Sequence, residues 1–223
     1  MNKNTFATDD HRKIYAQNGI LLSSTTFTLN GYTYHTDVYG RIIHAYGYVH
    51  LRAGNRKRIR ANMQDIAHGY AAPNDDRGHI IADLLDGSNL LGNFFPQNSR
   101  INRGIYQRRE RSIAELVRAG IEVQYHVCLV YADTVSYRPD LIITVAYYDD
   151  LADVVVFANP SIIAKNTAQT GLIPIAFMIY FQQYISIWQD KEAEGEFIWD
   201  FLANQKRSTG RKLPLCGMST TQK

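Results

Sequence analysis

The sequence predicts an α+β fold built on an antiparallel sheet, with one central helix and an additional C-terminal helical segment. Two observations carry that prediction. Apolar and aromatic residues alternate at period two within residues 32–51 and 121–157, the pattern of strands with one buried face. A helical period near 3.6 replaces it within residues 103–119 and 175–204.

Tyr32, Tyr34 and Thr36 alternate with smaller or polar neighbours, Tyr39-Gly40 supplies a turn, and Ile42 to Leu51 resumes with β-branched and aromatic residues, together a hairpin. Asn102 stands where it can cap a helix from Arg103 to Ala119, with Ile105, Ile113, Leu116 and Val117 as its apolar positions and Gly120 as its end. Ile121, Val123, Tyr125, Val127, Leu129 and Tyr131 share one face of the next strand. A Tyr137-Arg138-Pro139-Asp140 turn leads into Leu141 to Tyr148 and then Asp153 to Phe157, an antiparallel meander. Ile175 to Asn204 is the second helical stretch, with Gly195 as a break, and the polar tail after Lys206 is expected to be loose.

The chain has 223 residues, 45% hydrophobic and 20% charged, which excludes disorder as its dominant state. Its 24 Lys and Arg against 21 Asp and Glu leave +3, too little to imply a nucleic-acid partner, so that inference has to come from local clustering. Cys128 and Cys216 are too few for a disulfide framework or a cysteine zinc site. Cys128, within an apolar alternating run, reads as a buried thiol, with a single bridge as the alternative. No apolar stretch follows the charges of the N-terminus, so no secretory signal peptide is expected. Gly171 to Phe181, the longest hydrophobic segment, is about half of the ~20 residues a membrane span needs and contains Pro174.

The chemistry concentrates between Asp75 and Glu110. His79, in Asp76-Arg77-Gly78-His79, can accept a proton from water near neutral pH, Arg77 can grip a phosphate in a fork, and Gly78 permits close backbone approach. A turn histidine is the plainer reading of that tripeptide alone. Asn93 to Ser99 reads as an irregular polar segment. The Asn102 amide oxygen suits a hard cation such as Mg²⁺, which keeps several waters, and equally suits a helix cap. Glu110, two helical turns on, can reach back toward metal-bound waters or pair with Arg103, Arg109 or Arg111.

Taken in order, Asp76 to His79, Asn93-Phe-Phe-Pro96-Gln97-Asn98-Ser99, and Asn102-Arg-Gly104-Ile-Tyr106 with Glu110 resemble the fingerprint of the DNA/RNA non-specific endonucleases. The flanks resemble it too: Tyr34 to Arg41 looks like the opening hairpin, Gln64 matches a glutamine of the bacterial toxin-domain and DNA-entry nuclease subgroup, and Tyr137-Arg138-Pro139 looks like a later turn. The resemblance implies a ββα-metal motif within a nuclease domain at 30–159, flanked by an N-terminal extension at 1–29 and a C-terminal extension at 160–223.

It further implies His79 as general base, Asn102 as ligand of one Mg²⁺ (Mn²⁺ being the alternative ion) and Glu110 as acceptor for the metal's waters. Arg77 would contact phosphate, and Asn93 would position the metal waters or the loop around them. The implied reaction is hydrolysis of DNA, and of RNA as a second substrate, leaving a 5′-phosphate. Asp83 and Asp86 depart from the family's basic character at this point, and Arg52, Arg56, Arg58 and Arg60 compete for one upstream family arginine.

Basic residues crowd two places, Arg52 to Arg60 and Arg100 to Arg111. Arg58, Arg60, Arg103 and Arg109 are therefore expected to bind substrate phosphates. A non-catalytic nucleic-acid-binding protein of the same fold is the alternative reading. The apolar run from Ile175 to Trp188 is expected to complete the core, with a homodimer contact or an inhibitor-protein dock as alternatives. The setting stays open between a toxin, an uptake nuclease and a phage enzyme, and so does export by a non-classical route or delivery as an effector.

Overall fold

The computed structural model describes residues 6–7, 14–55, 58–149 and 151–161. The expected helix at 175–204 and the tail lie outside these residues.

In chain order the elements are β1 (Phe6–Ala7), β2 (Ile14–Gln17), β3 (Ile20–Leu21), β4 (Thr26–Leu29), β5 (Tyr32–Thr36), β6 (Ile42–Tyr48), α1 (Met63–Ala67), β7 (Asp75–His79), β8 (Phe94–Asn98), α2 (Ser99–Ile101), α3 (Gln107–Arg118), β9 (Gln124–Val130), β10 (Leu141–Tyr148) and β11 (Leu151–Ala158). Six strands form one antiparallel sheet in the order β11-β10-β9-β6-β5-β4, β1 to β3 form a small second sheet, and β7 and β8 pair with each other. The α+β class, the hairpin β5-β6 and the meander β9-β10-β11 match the sequence reading.

The sheet differs from expectation upstream. Thr26–Leu29 (β4) pairs antiparallel with Tyr32–Thr36 (β5), and Tyr15 is fully buried against Phe27, their rings 4.3 Å apart. Core-forming residues thus extend well before position 30, into what reads in sequence as an extension. Short strands with a single apolar partner escape a periodicity test.

Strand pairing also joins the two predicted β regions, because β6 pairs with β9. The chain leaves the sheet after β6 and returns at the adjacent central strand β9, so α1, the β7-β8 hairpin and the helix all lie in the connection between these two strands. On the inner face Tyr32, Tyr34, Ala45, Tyr125, Val127, Leu129, Ile142 and Ala146 are buried. Ile113 and Ala114 of α3 join the same core. A buried ion pair ties the hairpin to the meander: Arg138 donates from Nε to Asp75 Oδ2 at 2.7 Å and from an Nη to Oδ1 at 2.9 Å. Asn159 completes that corner by donating to the carbonyls of Pro96 and Pro139.

Cys128 carries a free thiol, pushed up to about 12 by burial. Tyr106 is buried in the core, whereas Tyr48 and Tyr70 are exposed. Among the described residues no helix is long and apolar enough to cross a membrane.

Candidate active site

The stretch from Asn93 to Ser99, read in sequence as irregular and polar, contains the buried strand Phe94–Asn98. Asp75–His79 pairs antiparallel with Phe94–Asn98, Asp76 opposite Gln97 and His79 opposite Phe94. Strand alternation puts Arg77 and His79 on one face and Asp76 and Gly78 on the other. The glycine is needed there for packing. A Cβ at Gly78 would lie 2.3 Å from Oε1 and 2.7 Å from Cβ of the buried Gln97. On the other face the His79 ring packs on Phe94, centroids 4.4 Å apart, and Arg77 donates to the Ala61 carbonyl at 2.8 Å.

The helix starts earlier than its apolar period suggests. Asn98 is its cap, its Oδ1 accepting from the backbone of Arg100 and Ile101. Asn102 therefore has no capping duty. Its Nδ2 instead donates to Asp76 Oδ2 at 3.0 Å, leaving Oδ1 as the acceptor end of the side chain. Arg103 grips the same carboxylate with two nitrogens, 2.7 Å from Nε to Oδ2. Gly104, at φ −108° and ψ −106°, breaks the helical path, so Ile105 turns outward and is 42% exposed. Tyr106 then anchors the segment by donating to the Ile80 carbonyl at 3.0 Å, just beyond His79.

Electrostatics separate the two acids of this region. Partial burial pushes the Asp76 carboxyl up, but hydrogen bonds from Arg103 and Asn102 outweigh it and hold the group below its usual range. Burial pushes Glu110 up to about 8, with Arg111 opposing. The three arginines that could have made Glu110 an ordinary surface ion pair are engaged elsewhere: Arg103 on Asp76, Arg109 on Asp153, Arg111 on Gln107.

Two expectations need correction. Asn93 is fully buried, and its amide is spent on structure: Oδ1 accepts from Tyr34 Oη and the Ile81 amide, while Nδ2 donates to the carbonyls of Ile81 and Ser88. An amide offers two acceptor and two donor sites, so nothing remains for metal-bound water. Its four bonds tie Tyr34, Ile81 and Ser88 together. Arg109 faces inward, paired with Asp153 and 3.3 Å from Thr144 Oγ1, because it sits on the face of α3 that covers β10 and β11. It is not presented to substrate.

Arg58 and Arg60 are exposed, and their segment is stitched to the hairpin through Arg77 on Ala61 and through the Arg60 amide on the Asn89 carbonyl. Arg103 is exposed, with its guanidinium committed to Asp76. Sequence reasoning missed Asn98 as cap and Asp76 as the anchor of Asn102. The Asn98-Ser99 pair ahead of the helix was the available signal for the first.

Among the described residues no cluster of three His, Cys, Asp or Glu side chains could hold a metal ion. The donors present are one amide oxygen on Asn102 and a half-buried carboxyl on Glu110. That set fits a hard cation that takes few protein oxygens and keeps its waters, as Mg²⁺ does, and does not fit a thiolate or imidazole cage.

The sequence profile of the DNA/RNA non-specific endonuclease family matches residues 23–149. A probable deoxyribonuclease, RhsA of Dickeya dadantii (strain 3937), is 34% identical over 67 residues, which span 30% of this chain and 4% of that protein. Among solved structures, NucA from Streptococcus agalactiae, with no metal bound and with a magnesium ion bound, is 17% identical over 66% of this chain and 78% of its own, with a TM-score of 0.49 in both cases. The Sda1 nuclease with bound zinc ion is 16% identical over 58% of this chain and 76% of its own, with a TM-score of 0.44.

Proposed function

The chain belongs to the DNA/RNA non-specific endonuclease family, and from that premise we propose that it is a Mg²⁺-dependent endonuclease hydrolysing DNA, and RNA as a second substrate, with His79 as general base. The observation that carries this reading is the link from Asp76 to Asn102, which fixes an amide oxygen relieved of capping beside the strand that bears His79.

Asn102 would hold the ion, and Glu110 would accept hydrogen bonds from its waters. When bound, the ion supplies positive charge against the phosphate and the leaving 3′ oxygen. The protein's own residues do the rest. His79 takes a proton from the attacking water, and Phe94 holds its ring in place. Arg77 shares the His79 face of the strand and orients the phosphate. Asp76 neutralises Arg103 and keeps Asn102 from turning away. Arg58 and Arg60 supply sequence-independent charge for the backbone of the nucleic acid.

The nuclease domain is proposed to run from upstream of position 30 to about residue 159. Plasmid cleavage and RNA cleavage under a Mg²⁺ titration test the reading. Cleavage abolished by chelator, and reduced about 100- to 10,000-fold in His79→Ala, is the expected result. Full activity of His79→Ala would contradict the mechanism, and chelator-insensitive, salt-sensitive DNA binding without cleavage would favour a binding protein instead.

A further inference from the structure

We propose that Asn89 is a positioning residue that sets the tautomer of His79, and that Asp83 and Arg52 in turn set the orientation of Asn89. This rests on the reading of His79 as general base. The groups form a line. Arg52 pairs with Asp83 Oδ2, Asn89 Nδ2 donates to Asp83 Oδ1 at 3.0 Å, and Asn89 Oδ1 lies 3.1 Å from His79 Nε2.

The direction of this line follows from the donor and acceptor inventory. A carboxylate only accepts, so the amide of Asn89 must turn its NH₂ end toward Asp83. Its carbonyl oxygen then faces the imidazole. An acceptor at that nitrogen requires Nε2 to carry the hydrogen, and a neutral imidazole protonated at Nε2 has its lone pair on Nδ1. The proton taken from water is thereby directed to Nδ1, giving an imidazolium whose second N–H stays on Asn89. Because Asn89 is neutral, it orients the ring without placing an anion against it.

The scaffold around Asn89 restrains it from both sides. The Asn93 amide binds the carbonyl of Ile81, just ahead of the Asp83–Asn89 loop, and that of Ser88 within it. The Asn89 carbonyl accepts from the Arg60 amide at 2.9 Å. Asp83, an unfavourable charge near a polyanion when read from sequence, is thus countered by Arg52 and acts on the amide rather than on substrate.

The test uses the whole chain. Nitrogen-15 NMR of the metal-free protein reads the His79 tautomer directly, and steady-state cleavage across a pH series separates kcat from KM. In the wild type Nε2 is expected to carry the hydrogen. Asn89→Ala is expected to lose that preference and to lower kcat about 100-fold at unchanged KM, the low end of what a general base contributes. Asn89→Asp keeps an acceptor but charges it, so it should recover most of kcat while moving the acid limb of the pH profile upward. Hydrogen on Nδ1 in the wild type, or wild-type kcat and pH profile in Asn89→Ala, would overturn the proposal. His79→Ala separates the two failures: if it is inactive while Asn89→Ala is normal, only the role of Asn89 falls, and if it is active the base assignment falls with it. Should Asn89→Ala not fold, the wild-type tautomer and the Asn89→Asp profile still decide.

Discussion

In β5 and β9 burial alternates with the strand pleat, and the inward residues are Tyr32, Tyr34, Tyr125, Val127 and Leu129. In β8 every residue from Phe94 to Asn98 is buried, and Gln97 and Asn98 are polar. The sheet is held by burial of apolar surface, which has no preferred direction and tolerates changes of shape. The hairpin that carries His79 is held by directed bonds from Asn93, Asn98, Asn159 and Arg138. Directed bonds fix side chains to within the tolerance that proton transfer needs, and they penalise the loss of one partner heavily.

That contrast can be broken by substitution. Asn93→Ala removes the side-chain partner of the Ile81 amide and of the Ile81 and Ser88 carbonyls, and urea unfolding should show a loss of at least about 3 kcal/mol, since each unsatisfied buried group costs roughly 1–3. A loss below that of an aliphatic truncation in the sheet would remove the distinction.

The two regions should also respond to pH with opposite sign. In the sheet, burial lowers His126 from 6.5 to about 4, and burial next to His126 and His35 lowers His44 as well. The folded state keeps these rings neutral while the unfolded chain takes up protons, so their contribution is present above about 6.5 and lost as pH falls toward 4. At the site, Glu110 rises from 4.5 to about 8, so the folded metal-free protein holds a proton that the unfolded chain releases. That contribution is present below 4.5 and lost as pH rises through 8. Unfolding midpoints of His126→Gln should flatten the rise between about 4 and 6.5, and those of Glu110→Gln the fall between 4.5 and about 8. Smaller changes sharpen the picture: Ile142→Val in the sheet core should cost about 1 kcal/mol. Removing Arg58 or Arg60 should leave stability alone and reduce the salt slope of DNA binding by about one each, while Arg109→Met should lower stability and leave the slope unchanged.

The same contrast explains what could be read from the chain. The hairpin Tyr32 to Tyr48 and the meander from Gln124 to Ala158 follow from alternation, because one face meets the core and the other does not. β8 does not, because Asn98 is buried by bonding to Asn159 far along the chain and Gln97 by packing against Gly78 across the hairpin, and neither neighbour is visible to local pattern. The order and spacing of His79, Asn102 and Glu110 carried the family resemblance, and the family profile over residues 23–149 agrees with it. Asn93 and Arg109 were not legible as scaffold residues, since an asparagine with four structural bonds and an arginine turned under a sheet look in sequence like their exposed counterparts.

Two asparagines divide the work at the start of the helix: Asn98 caps it, and Asn102, tied to Asp76, is left for the metal role proposed above. Calorimetric titration of Mg²⁺ into Asn102→Ala and Asn98→Ala, with urea unfolding of both, tests it most directly. Asn102→Ala should lose Mg²⁺ binding with little change in stability, and Asn98→Ala should lose about 1 kcal/mol of stability or more while still binding the ion. Wild-type Mg²⁺ binding by Asn102→Ala would contradict it.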